Sequence, residues 1–168
     1  MPESIQKADE FVRLHAREVN PEFLPKYHVT PPVGWINDPN GFCHWRGQYH
    51  MFCQFYPYRP VWGPMHWGHW VSRDLVRWDW VGVALAPDSP FDDQGCFSGT
   101  ALPDGDRLIL MYTGVHKNAD GVSVQEQCIA GPSPKKRTCK KCGIIRSHKE
   151  AARWEERVST AEKKKSQL

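Results

Sequence analysis

The sequence contains no apolar run that approaches the ~18 consecutive residues needed to span a bilayer. Its mean hydropathy is −0.61 and hydrophobic residues make up 40% of the chain, so we expect no membrane-embedded segment. The start of the chain, Met1-Pro2-Glu3-Ser4, also lacks the basic and apolar regions of a secretory signal. Six cysteines without an export signal are typical of reduced thiols rather than of a disulfide framework. These absences predict a cytoplasmic protein.

Charge is unevenly distributed along the 168 residues, although the formal net charge is only +3. Up to Ala130 the chain has 10 Lys and Arg against 15 Asp and Glu, whereas from Gly131 onward it has 12 against 4. Such an asymmetry indicates segments with different roles. It separates a basic tail (131–168) from the rest of the chain, which we divide into an N-terminal helix with its lead-in (1–27) and a central domain (28–130). The length suits one ordinary domain and is short for a two-domain enzyme.

Local patterns predict one helix followed by short strands. Apolar residues recur at helical spacing from Ser4 to about Val19, with Ser4 as the N-cap, and Asn20-Pro21 ends the helix. Beyond the Pro-rich stretch 21–32, aromatic and β-branched runs are separated by turn residues. They predict about seven strands, at 42–45, 48–55, 66–72, 77–85, 96–102, 107–114 and 122–130.

No helices alternate with these strands, which disfavours a parallel α/β sheet. We therefore predict an all-β fold, an antiparallel meander as in a sandwich, barrel or propeller. The basic tail has too few apolar side chains to form a core, and we expect it to be disordered or helical.

Metal, cofactor and nucleic-acid sites are not predicted. His66 and His69 are three residues apart on a predicted strand, which places them on opposite faces without an acidic ligand. Cys139 and Cys142 form a single CxxC pair, whereas a closed structural zinc site needs four ligands. The charge run of the tail, with Trp154 inside it, is more typical of a solvated segment than of a nucleic-acid interface.

Seven of the eight tryptophans lie between Trp35 and Trp80. A packed aromatic core is one interpretation, and a sugar-binding surface is the other, because flat rings stack on the C–H-rich face of a sugar. Asp38 also has two interpretations. It lies in an Asn-Asp-Pro-Asn-Gly run that is typical of a turn, but its carboxylate could instead project into a pocket and attack an anomeric carbon.

Nine blocks of sequence, in order along the chain, resemble glycoside hydrolase family 32, the group of invertases, sucrose-6-phosphate hydrolases and fructanases. The most distinctive block reads Trp35-Ile36-Asn37-Asp38-Pro39-Asn40-Gly41. The leading helix and the closing Gln-Cys-Ile-Ala are most similar to the bacterial sucrose-6-phosphate hydrolase branch. The blocks lie at 28–32, 34–41, 48–55, 62–69, 72–78, 84–87, 95–101, 112–114 and 127–130.

The resemblance implies a five-bladed β-propeller with the active site at its axis, followed by a β-sandwich. This chain would hold about the first two blades. The resemblance also implies cleavage with retention, by an aspartate nucleophile, a glutamate acid/base and a second aspartate that holds fructosyl hydroxyls. Matching the blocks maps the nucleophile onto Asp38. The same matching places five residues along the fructosyl subsite: Asn37, Gln54, Trp62, Phe97 and Ser98.

Two blocks of the family have no counterpart in this sequence: Arg-Asp-Pro, which carries the stabilising aspartate, and Glu-Cys, which carries the acid/base. Arg73-Asp74 is followed by Leu75, and Glu126 is not adjacent to a cysteine, so neither is a substitute. A retaining mechanism needs two carboxyl groups about 5–5.5 Å apart.

The similarity is expected to end near Ala130. We therefore predict a truncated or frame-shifted β-fructofuranosidase that is inactive alone. Its parent would act on sucrose 6-phosphate, sucrose or a fructan oligosaccharide. A non-catalytic sugar-binding protein is the alternative.

Overall fold

The computed structural model describes residues 4–132 and 139–145. The chain begins with helix α1 (Ile5–His15) and two short 3₁₀ helices, Ala16–Glu18 and Pro21–Phe23. The rest is mostly β, as the sequence predicted. The strands are β1 (Trp35–Trp45), β2 (Gln48–Tyr56), β3 (His66–Ser72), β4 (Asp79–Leu85), β5 (Gly95–Asp104), β6 (Arg107–Lys117), β7 (Ser123–Pro132) and β8 (Cys139–Ile145).

The strands form two antiparallel sheets of four, in which every strand pairs with the next one along the chain. We call them the N-terminal sheet (β1–β4) and the C-terminal sheet (β5–β8). Tight turns make this order possible. Arg46 and Gly47 connect β1 to β2 with φ values of 48° and 74°, the positive values that a two-residue hairpin turn requires.

Helix α1 is shorter than the sequence predicted. The side chain of Ser4 accepts a hydrogen bond from the Lys7 N–H at 3.2 Å, so Ser4 is the N-cap as expected. The helix ends at His15 rather than near Val19, because the following turn tightens into the 3₁₀ helix Ala16–Glu18. Among the described residues, no helix is long and apolar enough to cross a membrane.

Strand β1 is longer and less regular than the sequence predicted. It begins at Trp35 rather than at residue 42, and its pairing with β2 shifts register between Ile36 and Pro39 and again between Asn40 and Cys43. Proline is tolerated here because β1 is at the edge of its sheet. Bulges of this kind re-aim side chains. The Asn-Asp-Pro-Asn-Gly run is therefore an irregular strand and not a simple turn.

Residues 139–145 correct the prediction that the basic tail is disordered or helical. They form β8, which pairs with β7 from Gln127 opposite Ile145 to Pro132 opposite Cys139. An unpaired β7 would present a row of backbone N–H and C=O groups, so a neighbouring segment gains hydrogen bonds by pairing with it even without an apolar core of its own. Residues 133–138 and 146–168, with Trp154, lie outside the described residues.

The main core lies between the two sheets. Phe52, Trp67 and Leu85 of the N-terminal sheet are buried in one cluster with Leu110 and Tyr112 of the C-terminal sheet. A second cluster places helix α1 against β2 and β4, with Ile5, Ala8 and Val12 packed around Phe55, Val83 and Ala86. The two clusters hold both sheets and the helix in a fixed arrangement, which positions the residues described next.

Candidate active site

Asp38 and Ser98 meet where β1 lies beside β5. Ser98 Oγ donates a hydrogen bond of 3.4 Å to Asp38 Oδ2, and both residues are exposed. The carboxylate is therefore open to a ligand while one contact restricts its orientation. A nucleophilic carboxylate needs both properties, because it must reach an electrophilic carbon in a defined direction.

A buried asparagine joins the two strands behind this pair. Asn40 is 4% exposed, and its Oδ1 accepts a hydrogen bond of 3.2 Å from the Gly99 N–H. Gly41 allows the close approach, because a Cβ there would lie 2.8 Å from the Cβ of Ala101. The φ of Gly41 is also positive, at 52°, which favours glycine. These contacts set the separation of Asp38 from Ser98.

The start of β5 is held by side chains from the N-terminal sheet. Gln54 is buried, and its Nε2 donates a hydrogen bond of 3.1 Å to the carbonyl of Cys96. Trp67 Nε1 donates a hydrogen bond of 3.2 Å to the carbonyl of Phe97. The Cys96 N–H in turn donates to the carbonyl of Met65 at 2.8 Å. Gln54 thus fixes the backbone of β5 at Cys96, two residues before Ser98.

An aromatic pair, of which Trp62 is exposed and Phe97 is half-buried, adjoins the same stretch of β5. The rings of Trp62 and Phe97 lie 6.2 Å apart between centroids and are nearly perpendicular, at 83°. Trp62 is 58% exposed, whereas Trp67 and Trp70 are 0% and 1% exposed. Trp67 and Trp70 therefore fit the core interpretation, whereas the open face of Trp62 is compatible with the sugar-binding interpretation, which stays a prediction.

Asn37 is engaged with a different neighbour. Its Oδ1 accepts a hydrogen bond of 2.8 Å from Trp35 Nε1. Of the six predicted site residues, the described contacts thus link Asp38 directly to Ser98 and Trp62 directly to Phe97. Gln54 is connected to β5 by its hydrogen bond to the backbone carbonyl of Cys96. Asn37 adjoins Asp38 in the chain, but its described hydrogen bond fixes an indole and reaches none of the other five.

Asn40 and Trp67, which hold β5 beside this site, were not among the predicted site residues, and neither was Asp92, which is buried beside the start of β5. Asn40 belongs to an Asn-Gly pair, which in sequence indicates only a turn. Asp92 lies in a proline-containing loop that also holds Asp88 and Asp93, and nothing in the sequence distinguishes it from these two. Burial is what sets Asp92 apart, since it is 0% exposed, and burial is a property of the folded chain.

The histidines in β3 have partners that occupy their rings. His66 is buried and its Nδ1 lies 2.9 Å from the carbonyl of Pro64. His69 Nε2 lies 3.0 Å from His50 Nδ1, and burial together with the charge of His50 lowers the pKa of His69 to about 3. Within the described part of the chain, no group of three or more His, Cys, Asp or Glu residues is arranged to hold a metal ion.

A comparison with protein families decides what this arrangement belongs to. The model of the glycosyl hydrolases family 32 N-terminal domain matches residues 28–157. The chain belongs to glycoside hydrolase family 32. The match includes Asp38 and every other predicted site residue. It also extends past Ala130, where the sequence analysis placed the end of the resemblance.

Relatives within family 32 are similar over most of this chain. A sucrose-6-phosphate hydrolase of Zymomonas mobilis is 52% identical over 117 residues, which are 68% of this chain and 23% of the relative. Among solved structures, the family 32 β-fructofuranosidase of Bombyx mori is 40% identical with a TM-score of 0.72, covering 86% of this chain and 30% of that one. The sucrose-6-phosphate hydrolase of Lactobacillus gasseri is 32% identical with a TM-score of 0.71, covering 87% and 32%.

The chain therefore spans about a quarter of the length of the curated family 32 proteins that it matches. Its solved neighbours are family 32 β-propeller enzymes. One of these structures is a variant of the Bombyx mori enzyme in complex with sucrose, and another is a fructan 1-exohydrolase in complex with 1-kestose.

Proposed function

We propose that the protein supplies the nucleophile and part of the fructosyl-binding surface of a retaining β-fructofuranosidase. The observation that carries this proposal is the exposed carboxylate of Asp38, held by Ser98 where the two sheets meet. Phe97, next to Ser98 on β5, contacts the exposed ring of Trp62. On this proposal the N-terminal and C-terminal sheets are the first two blades of a five-bladed propeller, with Asp38 at its axis.

The chemistry assigned to Asp38 is attack on the anomeric carbon of a fructosyl group. The bond from that carbon to the leaving oxygen breaks as the bond to a carboxylate oxygen forms, and water later hydrolyses the resulting ester. An acid must protonate the leaving oxygen of an ordinary glycoside. The Glu-Cys block that the family resemblance assigns to this acid does not occur in the sequence. We therefore propose that this chain alone does not hydrolyse sucrose.

The proposed substrate is a β-fructofuranoside: sucrose 6-phosphate, sucrose or a fructan oligosaccharide. This follows the names of the relatives, which include sucrose-6-phosphate hydrolases and a levanase. The shared part of these substrates is the fructosyl ring. Its hydroxyls can be bound by the amide of Asn37 and the hydroxyl of Ser98, and its C–H face by the ring of Trp62.

An activated substrate tests the nucleophile without requiring the acid. β-Fructofuranosyl fluoride loses fluoride without prior protonation, so Asp38 can displace it and form a fructosyl ester. We expect intact-mass spectrometry of the 168-residue chain to show one added fructosyl group, mapped to Asp38 by peptide analysis. Asp38→Asn should abolish the adduct, whereas Asp93→Asn, an equally small change at an exposed position, should retain it.

Sucrose provides the second arm of this test. The chain should bind fructose and sucrose with saturable heat in isothermal titration, yet release no fructose from sucrose or sucrose 6-phosphate. Saturable binding without a fructosyl adduct would instead support the alternative, a non-catalytic sugar-binding protein, which the exposed ring of Trp62 also favours. An adduct that survives Asp38→Asn would refute the assignment of the nucleophile.

We also propose a cytoplasmic location. The four cysteines whose side chains are described form no disulfide, and three of them are buried, which supports a reducing compartment. Fractionation of producing cells, followed by immunoblotting, tests this proposal, and recovery of the chain in an extracellular fraction would contradict it.

A further inference from the structure

A fully buried carboxylate lies close behind the candidate site. Asp92 is 0% exposed, and its Oδ2 accepts hydrogen bonds from Tyr112 Oη at 2.7 Å and from Cys96 Sγ at 3.7 Å. Its Oδ1 accepts the Ser89 N–H at 2.9 Å. A buried carboxylate is costly to desolvate, and only such a set of donors makes the position tenable.

The same residue shapes the loop that leads into β5. The carbonyl of Asp92 accepts the Gly95 N–H at 2.8 Å, so both its backbone and its side chain hold the turn that precedes the strand. Room for it comes from Gly114 on β6, where an added Cβ would lie 3.2 Å from the Cβ of Asp92 and 2.8 Å from Cys128 Sγ. Asp92 is thus packed firmly against β6.

Tyr112 provides the anchor on β6 for this carboxylate. Burial raises the pKa of its phenol, and the nearby groups of Cys96 and Asp92 raise it further. The phenol therefore keeps its proton and remains a donor to Asp92 at any ordinary pH. Together, the short contact from Tyr112 and the thiol contact from Cys96 connect the interior of the C-terminal sheet to the first residues of β5.

Cys96 transmits this restraint to the site, because the next two residues are Phe97 and Ser98. Ser98 contacts Asp38, Phe97 contacts Trp62, and Gly99 donates to Asn40 on β1. We propose that Asp92 is a positioning residue for the nucleophile. By holding Cys96 and the start of β5 against β6, it places Ser98 beside Asp38. Its role in chemistry rests on the proposed function, whereas its role in placing β5 does not.

Hydrogen exchange measured by NMR tests the placement without any ligand. The Gly99 amide reports on the contact between β5 and β1, since it donates to Asn40. We expect Asp92→Asn to accelerate its exchange about tenfold relative to the amides of the β2–β3 ladder, because the loss is a local opening. Asp93→Asn, the same substitution at an exposed position in the same loop, should leave it unchanged.

A second variant keeps the test decisive if Asp92→Asn does not fold. Tyr112→Phe removes only the hydroxyl that donates to Asp92, and we expect it to accelerate Gly99 exchange in the same selective way, by a smaller factor. Unchanged Gly99 exchange in the variants that fold would overturn the proposal. So would an equal acceleration of Gly99 and of the β2–β3 ladder, since that is the pattern of a general stability role.

The rate of fructosyl transfer to Asp38 from β-fructofuranosyl fluoride tests the connection to chemistry. Asp92→Asn should slow adduct formation, and combining it with Ser98→Ala should cost less than the sum of the two single effects, because Asp92 acts in part through Ser98. If the two substitutions slow adduct formation additively, Asp92 does not act through Ser98. If the unmodified chain forms no adduct, the proposed function fails, and the exchange experiment alone decides whether Asp92 positions β5.

Discussion

Individual side chains at the candidate site divide into those that are exposed and those that are buried and hold strands together. Asp38, Ser98 and Trp62 are exposed, whereas Gln54 and Asn40 are buried amides that bond to the backbone of β5. An amide suits the second task because it satisfies a buried backbone group without introducing charge.

Trp62 can be removed without disturbing the core, because it is 58% exposed. We expect Trp62→Ala to weaken fructose binding in isothermal titration about tenfold, which is about 1.4 kcal/mol of lost stacking. The free energy of unfolding, measured in urea, should change by no more than about 0.5 kcal/mol. Val61→Ala, at the neighbouring exposed position, is the control and should retain the affinity. Equal affinities for all three proteins would rule out Trp62 as a sugar platform.

The sequence indicated the exposed residues of the candidate site but not all of the buried residues that support them. Asp38 and Ser98 were predicted as site residues, and the structure brings them into contact. Asn40 and Asp92 were missed because their importance comes from burial. Burial depends on β5 and β6, which are far from Asn40 in the chain, so no local pattern reports it.

At the scale of elements, helix α1 protects the outer strand of the N-terminal sheet. Strand β4 is the edge of that sheet, and Asp9 Oδ1 on the helix accepts the Val83 N–H at 2.7 Å. Burial raises the pKa of Asp9, while the hydrogen bond from Val83 opposes that shift. The contact covers part of an edge that would otherwise be open to pairing with another chain.

Removing this carboxylate should loosen the helix from the sheet. We expect Asp9→Ala to lower the free energy of unfolding by about 1–3 kcal/mol, since it leaves the Val83 N–H without its partner. Faster hydrogen exchange at Val83 should accompany the loss. Glu10→Ala serves as the control: Glu10 and Arg13 form an exposed ion pair at 3.8 Å, and such pairs contribute little. Equal effects of the two substitutions would show that the Val83 contact is unimportant.

The elements themselves were predicted to different extents. The strand at His66–Ser72 has the predicted bounds, because alternating residues between clear turn signals define it locally. The start of β1 was missed because Pro39 and two register shifts hide its strand character. Strand β8 was missed because its pairing depends on the open edge of β7 rather than on its own composition.

At the scale of the whole molecule, hydrogen bonds between two hairpin turns join the sheets in addition to the buried core. Trp45 Nε1 donates to the carbonyl of Gly105 at 3.1 Å, and Arg46 Nη2 donates to the carbonyl of Asp106 at 3.0 Å. These bonds connect the β1–β2 turn to the β5–β6 turn. Together with the contacts between β1 and β5, they restrain how the sheets lie relative to each other.

A histidine pair makes the stability of the whole fold sensitive to acid. His50 Nδ1 lies 3.0 Å from His69 Nε2, and His69 stacks on Phe52 with ring centroids 4.3 Å apart. Burial lowers the pKa of both rings, that of His69 to about 3. The unfolded chain therefore binds more protons than the folded chain between pH 6.5 and 3. The contribution of the pair to stability is complete above pH 6.5 and is lost as the pH falls through this window.

We expect the free energy of unfolding, measured in urea, to decrease as the pH is lowered from 6.5 to 4.5, by at most about 1.4 kcal/mol per pH unit for each histidine. His69→Phe retains an aromatic ring against Phe52 but does not titrate, so it should make this slope shallower. An unaltered slope in His69→Phe would exclude the pair as the cause.

The sequence by itself determined the family and the mostly β fold, and it supplied Asp38 as the candidate nucleophile, because these follow from local spacing and from motifs that are contiguous in the chain. Only the tertiary structure decided which tryptophans are core and which are exposed, that β8 completes the second sheet, and that Asn40 and Asp92 are buried in contact with β5. Each of these depends on what a residue contacts across the fold, and such contacts arise between segments that are far apart in the chain.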